Sequence, residues 1–97
     1  MPRPFLRYYK LTIAAAATPE IFNVPSNTES MAITVEGGNV QMYNATQGAT
    51  LYWPIATGEK ESFDRRAMDT IIGEPITFKA DADGTVVRFR MVTKYTV

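Results

Sequence analysis

The chain contains no cysteine and no histidine. Without cysteine there is no disulfide, no thiolate nucleophile and no thiolate metal site. Without histidine the usual proton shuttle and the commonest metal ligand are gone. Net charge is also missing: ten Lys and Arg balance ten Asp and Glu, so no overall field draws the chain toward polyanions. No apolar run approaches the ~20 residues that span a bilayer as a helix, which argues against a membrane partner. The 45% apolar content is that of an ordinary globular domain. Cations are absent from Leu11 to Glu59, where the only charges are Glu20, Glu29, Glu36 and Glu59. By contrast, Met1 to Lys10 carries Arg3, Arg7 and Lys10 and no acid.

What is present is a set of turns separating short alternating segments. Gly37-Gly38, Gly48, Gly58, Gly73 and Asp83-Gly84 punctuate the chain at the spacing of strands in a sandwich or small barrel. In "MAITVE", Met31, Ile33 and Val35 share one face; in "LYWPI", Leu51, Trp53 and Ile55 do; in "ITFKA", Ile76, Phe78 and Ala80 do. A period of two means one buried and one exposed face. "FLRYYKLTI", "EIFNV" and "NVQMYN" read as further strands, the last joined to "MAITVE" by a Gly-Gly hairpin. Lys60 to Asp64 reads as a strand and Arg66 to Ile71 as an irregular connection or one helical turn. The expectation is an all-β fold, a compact antiparallel β-sandwich of about eight short strands, jelly-roll-like or Ig-like, with an extended N-terminal segment. Residues 1–19 form an arm or a first strand, and residues 20–97 form the sandwich. Arg3, Arg7 and Lys10 followed by "LTIAAAA" mimic a signal peptide, but the apolar run is weak, and the segment is read as part of the mature chain.

Little of this looks like chemistry. In "GTVVRFRMVTKYTV", Phe89, Met91, Thr93 and Tyr95 alternate with Arg88, Arg90 and Lys94. Rings and bases that adjoin in sequence therefore part to opposite faces. A single-strand binder needs both in one groove, so no nucleic-acid partner is expected. "ADADG" has two calcium-loop carboxylates, Asp81 and Asp83, without the remaining ligands, and reads as an Asp-Gly hairpin turn. Asn44-Ala45-Thr46 is a sequon in form and a turn in function. No nucleophile and base can be paired, so neither catalytic residues nor a cofactor or metal is expected. Trp53, in phase with Leu51 and Ile55, reads as core, leaving Tyr43 and Tyr52 as an outward patch for a protein partner or a surface glycan. Phe5, Arg7, Tyr8 and Tyr9 make the N-terminal segment a second candidate interface. As an arm, it could be deleted over residues 1 to 10 without unfolding the sandwich.

The order "MAITVEGGNVQMYNA", "LYWPIATGEKESFD" and "ITFKADADGTVVRFRMV" resembles small β-sandwich structural proteins of tailed bacteriophages over about two-thirds of the chain. No catalytic or ligand motif comes with the resemblance. It implies a non-enzymatic virion protein, a capsid decoration or cement protein, or a neck, tail or fibre adaptor. Its partners would be copies of itself and major capsid or other virion proteins, in the virion and, during assembly, the host cytoplasm. A carbohydrate-binding sandwich module is the alternative.

Overall fold

The structure is a computed structural model that describes residues 3–16, 18–44, 46, 48, 50–64, 66–67 and 75–95, with backbone only at 3–5 and 95. Eight strands are present: β1 Arg3–Ile13, β2 Glu20–Asn23, β3 Thr28–Glu36, β4 Val40–Asn44, β5 Tyr52–Ile55, β6 Lys60–Phe63, β7 Pro75–Ala80 and β8 Thr85–Tyr95. They form two four-stranded antiparallel sheets, β1-β8-β3-β6 and β2-β7-β4-β5. β1 pairs with β8, β2 with β7, β3 with β6 and β4 with β5. The chain is thus one long hairpin rolled on itself, with β3–β8 and β4–β7 pairings closing each sheet. That is the jelly roll, a β-sandwich of eight strands.

The alternation read from the sequence sets which residues fill the space between the sheets. Met31, Ile33 and Val35 of β3, Val87, Phe89 and Met91 of β8, and Ile76, Phe78 and Ala80 of β7 are all buried. Phe89 ties the layers together. Its ring stacks on Phe22 of the opposite sheet at 4.0 Å and 11°, and meets Phe78 edge-on at 5.6 Å and 72°. Aromatic contacts of this kind add about 0.5–1.5 kcal/mol each to area burial.

Two expectations need correction. The Gly37-Gly38 and Asp83-Gly84 turns are not hairpins: β3 and β4 lie in different sheets, as do β7 and β8. Gly37 (φ 84°) and Gly84 (φ 77°) do reverse the chain in the left-handed region, but the reversal crosses from one sheet to the other at the end of the sandwich. β4–β5 is the one pairing of consecutive strands among those described. Trp53 is not core: it shares a face with Ile55, yet stays 58% exposed, whereas Ile55 is 1% exposed. The cause is position along an edge strand: Ile55 lies next to a turn that bonds back to Asn39 and Val35, whereas Trp53 lies farther from it. Of the two readings kept for the N-terminal segment, arm or first strand, the structure has the strand. As β1 it is a strand of the sandwich, in register with β8 from Arg3 opposite Tyr95 to Ile13 opposite Thr85. Of the connection expected over Arg66–Ile71, residues 68–71 lie outside the described residues.

Four connections meet at one end of the slab and are laced together. Asn39 donates its backbone N–H (2.8 Å) and its Nδ2 (3.0 Å) to the two oxygens of Asp81, while its own Oδ1 accepts from Thr57 N at 2.9 Å. Asp83 Oδ1 accepts from Ala16 N at 2.8 Å, and Gly84 N donates to Ile13 O at 2.9 Å. The two aspartates therefore hold loops, which accounts for the D-x-D-G pattern without an ion.

Candidate assembly surface

Where the exposed apolar side chains lie is decided by strand order. β1 lies beside β2 across the sandwich, so these two edge strands make one long side of the slab, and the remaining edge strands, β5 and β6, make the other. On the β1/β2 side Leu6, Tyr8, Tyr9 and Ile21 are exposed; on the β5/β6 side Leu51, Tyr52 and Trp53 are. These seven are the large exposed hydrophobics of the described residues, ranging from 36% (Tyr9) to 69% (Tyr8) accessible. None sits on a central strand.

The predicted interface residues divide between the two sides. Phe5 pairs through its backbone with Thr93, and its side chain is outside the description. Arg7 is exposed in register with Met91. Tyr8 and Tyr9 point to opposite faces, as neighbours on a strand must. Tyr8 stands on the outer face of its sheet opposite Arg90. Tyr9 turns inward at the rim, its ring 5.7 Å from Phe22 at 67°. Tyr43 and Tyr52 are brought together as direct cross-strand partners on the outer face of the second sheet. Tyr43 is half-buried and Tyr52 45% exposed. β1 therefore supplies one patch and β4–β5 another, on opposite sides of the slab.

Sequence reasoning missed Leu51, Trp53, Ile21 and Leu6. Alternation marks a face as buried only if another element covers it, and no local signal tells an edge strand from a central one. Trp53 has an identifiable role at its edge: its Nε1 donates to Glu61 Oε2 of β6 at 3.3 Å. This contact joins the two sheets across the seam where the rolled hairpin does not close. Pro54, next to it, removes one backbone donor from β5, as is tolerated only where a strand is an edge.

The outer face of the first sheet is of a different kind. Lys10, Arg88, Thr34 and Lys60 stand in one row across β1, β8, β3 and β6, and Tyr8, Arg90, Ala32 and Ser62 in the next. Arg88 is bound to Glu36 through Nη2 at 2.8 Å and Nε at 2.9 Å. The premise that rings and bases separate to opposite faces holds along β8 taken alone. It does not hold for the sheet, since β1 places Tyr8 on the basic face.

The fold defines the chain as an eight-stranded antiparallel jelly roll whose large exposed hydrophobics, among the described residues, lie at its edges. No protein-family model matches the sequence, and no curated protein does. Among solved structures, the chain is similar to one from Bacillus endospore appendages, described as a novel family of disulfide-linked pili, with a TM-score of 0.53 and 21% identity. The match covers 99% of this chain and 88% of that one. At that identity the likeness establishes the shared fold. The expectation of a bacteriophage head-decoration, cement or tail-adaptor protein is corrected, because the solved structure it is similar to is from a Bacillus endospore appendage.

Proposed function

We propose that this chain is a non-enzymatic structural subunit whose copies join side to side, the β1/β2 edge of one against the β5/β6 edge of the next. One observation carries the reading: the large exposed hydrophobics of the described residues fall on two opposite edges and on no central strand. Single exposed apolar residues are normal, but grouped ones mark interaction sites, and open sheet edges are templates for further pairing. Because the two edges differ, the contact is heterologous, and such contacts propagate into filaments or close into rings. The slab measures 44 × 25 × 19 Å, so one long side has about the ~800 Å² that a stable interface takes from each partner. The Bacillus appendages that share the fold are disulfide-linked pili. This chain has no cysteine, so its copies would be held by burial and hydrogen bonds alone.

Complementary edge variants test the reading. Ile21→Lys on β2 and Leu51→Lys beside β5 should each abolish polymers, measured by light scattering and negative-stain microscopy. Mixing the two variants should restore contact through the one intact edge of each and yield heterodimers that grow no further. A wild-type chain that stays monomeric at high concentration, or either variant polymerising as the wild type does, would refute it.

A further inference from the structure

The outer face of the first sheet gives Leu6 and Tyr8 to the β1/β2 edge, but its cations play no part in the proposed edge contacts. Lys10 and Arg88 are direct cross-strand partners, and like charges placed opposite one another destabilise a sheet. Lys60 stands in the same row two strands further on, and Arg90 in the next row beside Tyr8. Glu36 neutralises Arg88, but Lys10, Lys60 and Arg90 have no ion-pair partner among the described residues. From Lys10 to Lys60 the row crosses three interstrand steps of ~4.8 Å each. Between these side chains the small residues Ala32 and Thr34 leave a depression of about 280 Å³, walled by Tyr8, Lys60, Arg88 and Arg90. A second depression, of about 390 Å³, shares Ala32 and Arg90 with the first and runs on past Leu6, Ser62 and Asp64. The two make one shallow groove with Arg90 at its middle.

The geometry points to this groove as a binding site for a single-stranded nucleic acid, with phosphates on Lys10, Arg90 and Lys60 and a base against the ring of Tyr8. Three features select that ligand. Cations spread along a groove suit a chain of anions rather than one compact anion. An exposed aromatic ring among them supplies the stacking surface that every base can use. The first depression is near the ~300 Å³ lower bound of small-molecule pockets, a size that suits a single nucleotide unit. The site shares Tyr8 with the proposed β1/β2 edge, and binding there requires only the folded monomer.

Fluorescence anisotropy of a labelled twelve-nucleotide oligothymidylate with the full chain tests it. Binding should weaken with salt with a log–log slope of about −2, as three phosphate contacts to a single strand require. Arg90→Glu should cost at least tenfold and Arg90→Lys much less. Tyr8→Ala should cost about fivefold to a hundredfold, the range for loss of one stacked base. Lys79→Glu, on the other sheet, should change nothing beyond a small general charge effect, and thermal melts identify any variant that has merely lost its fold. Competition distinguishes the ligand: a twelve-base-pair duplex, polyglutamate and inorganic phosphate should each displace the oligonucleotide poorly. No binding at low salt, equal loss from Lys79→Glu, or equal affinity for polyglutamate with no effect of Tyr8→Ala would overturn the proposal.

Discussion

Gly38 shows how closely the chain packs at the laced end of the slab. A Cβ at this position would lie 2.3 Å from Thr85 Oγ1, 3.0 Å from Asp81 Oδ1 and 3.1 Å from Ala82 Cβ. Thr85 cannot simply turn away, because its hydroxyl donates to Ala82 O at 2.7 Å. Gly38→Ala should therefore destabilise by about 1–3 kcal/mol, the usual cost of overpacking. At roughly 4–8 °C per kcal/mol for a domain of this size, a thermal melt measures it directly. Thr77 presents the opposite case. It is 4% exposed, and its Oγ1 is buried with no hydrogen-bond partner among the described residues. A buried hydroxyl without a partner costs about 1–3 kcal/mol, and valine keeps the β-branched shape that strands favour. Thr77→Val should raise the melting temperature, and an unchanged or lower value would show that the hydroxyl is satisfied.

At the scale of elements, β1 and β8 form the longest ladder in the molecule, in register over eleven-residue strands. Deleting residues 1 to 10 would leave only Leu11, Thr12 and Ile13 opposite β8 and would strip the cover from one edge of Phe89 and Met91. The truncated chain should lose cooperative unfolding in denaturant. This reverses the outcome expected of a detachable arm, in which the sandwich stays folded. The N-terminal bases and rings that suggested an arm are there for two other reasons: Tyr9 packs on Phe22, and Tyr8 and Lys10 furnish the outer face of the sheet. The ion pairs of that face contribute less. Arg88–Glu36 and Lys94–Glu29 both lie at the surface, where such pairs contribute ~0–1 kcal/mol.

For the molecule as a whole, the first strand pairs with the last and the second with the seventh. The chain ends must find each other before the outer ladders can form, and loop closure over that distance precedes any reward from contacts. Refolding monitored by Trp53 fluorescence should accordingly take milliseconds to seconds, the range of all-β sandwiches. A microsecond phase accounting for the full amplitude would contradict this topology. Any polymer the chain forms should also be indifferent to reducing agent, since no cysteine is available to cross-link it. Loss of filaments on adding dithiothreitol would point to a partner protein carrying the thiols.

The sequence by itself determined the class of fold and the interior. Alternation in "MAITVE", "ITFKA" and "VRFRMV" names the buried side chains because side chains alternate across a strand whatever its neighbours are. It also excluded thiol and imidazole chemistry outright. Strand order belongs to the tertiary structure alone, and three results turn on it. Glycine turns that read as hairpins are crossings between sheets, since left-handed backbone at Gly37 or Gly84 reverses a chain without choosing its partner. Trp53, in phase with core residues, is exposed because it lies on edge strand β5 away from the turn that adjoins Ile55. Tyr8 and Arg90, far apart in the chain, share a groove because β1 and β8 are adjacent. Periodicity is a property of one strand; edges, seams and grooves are properties of how strands are arranged, and that is settled only when the ends of the chain meet.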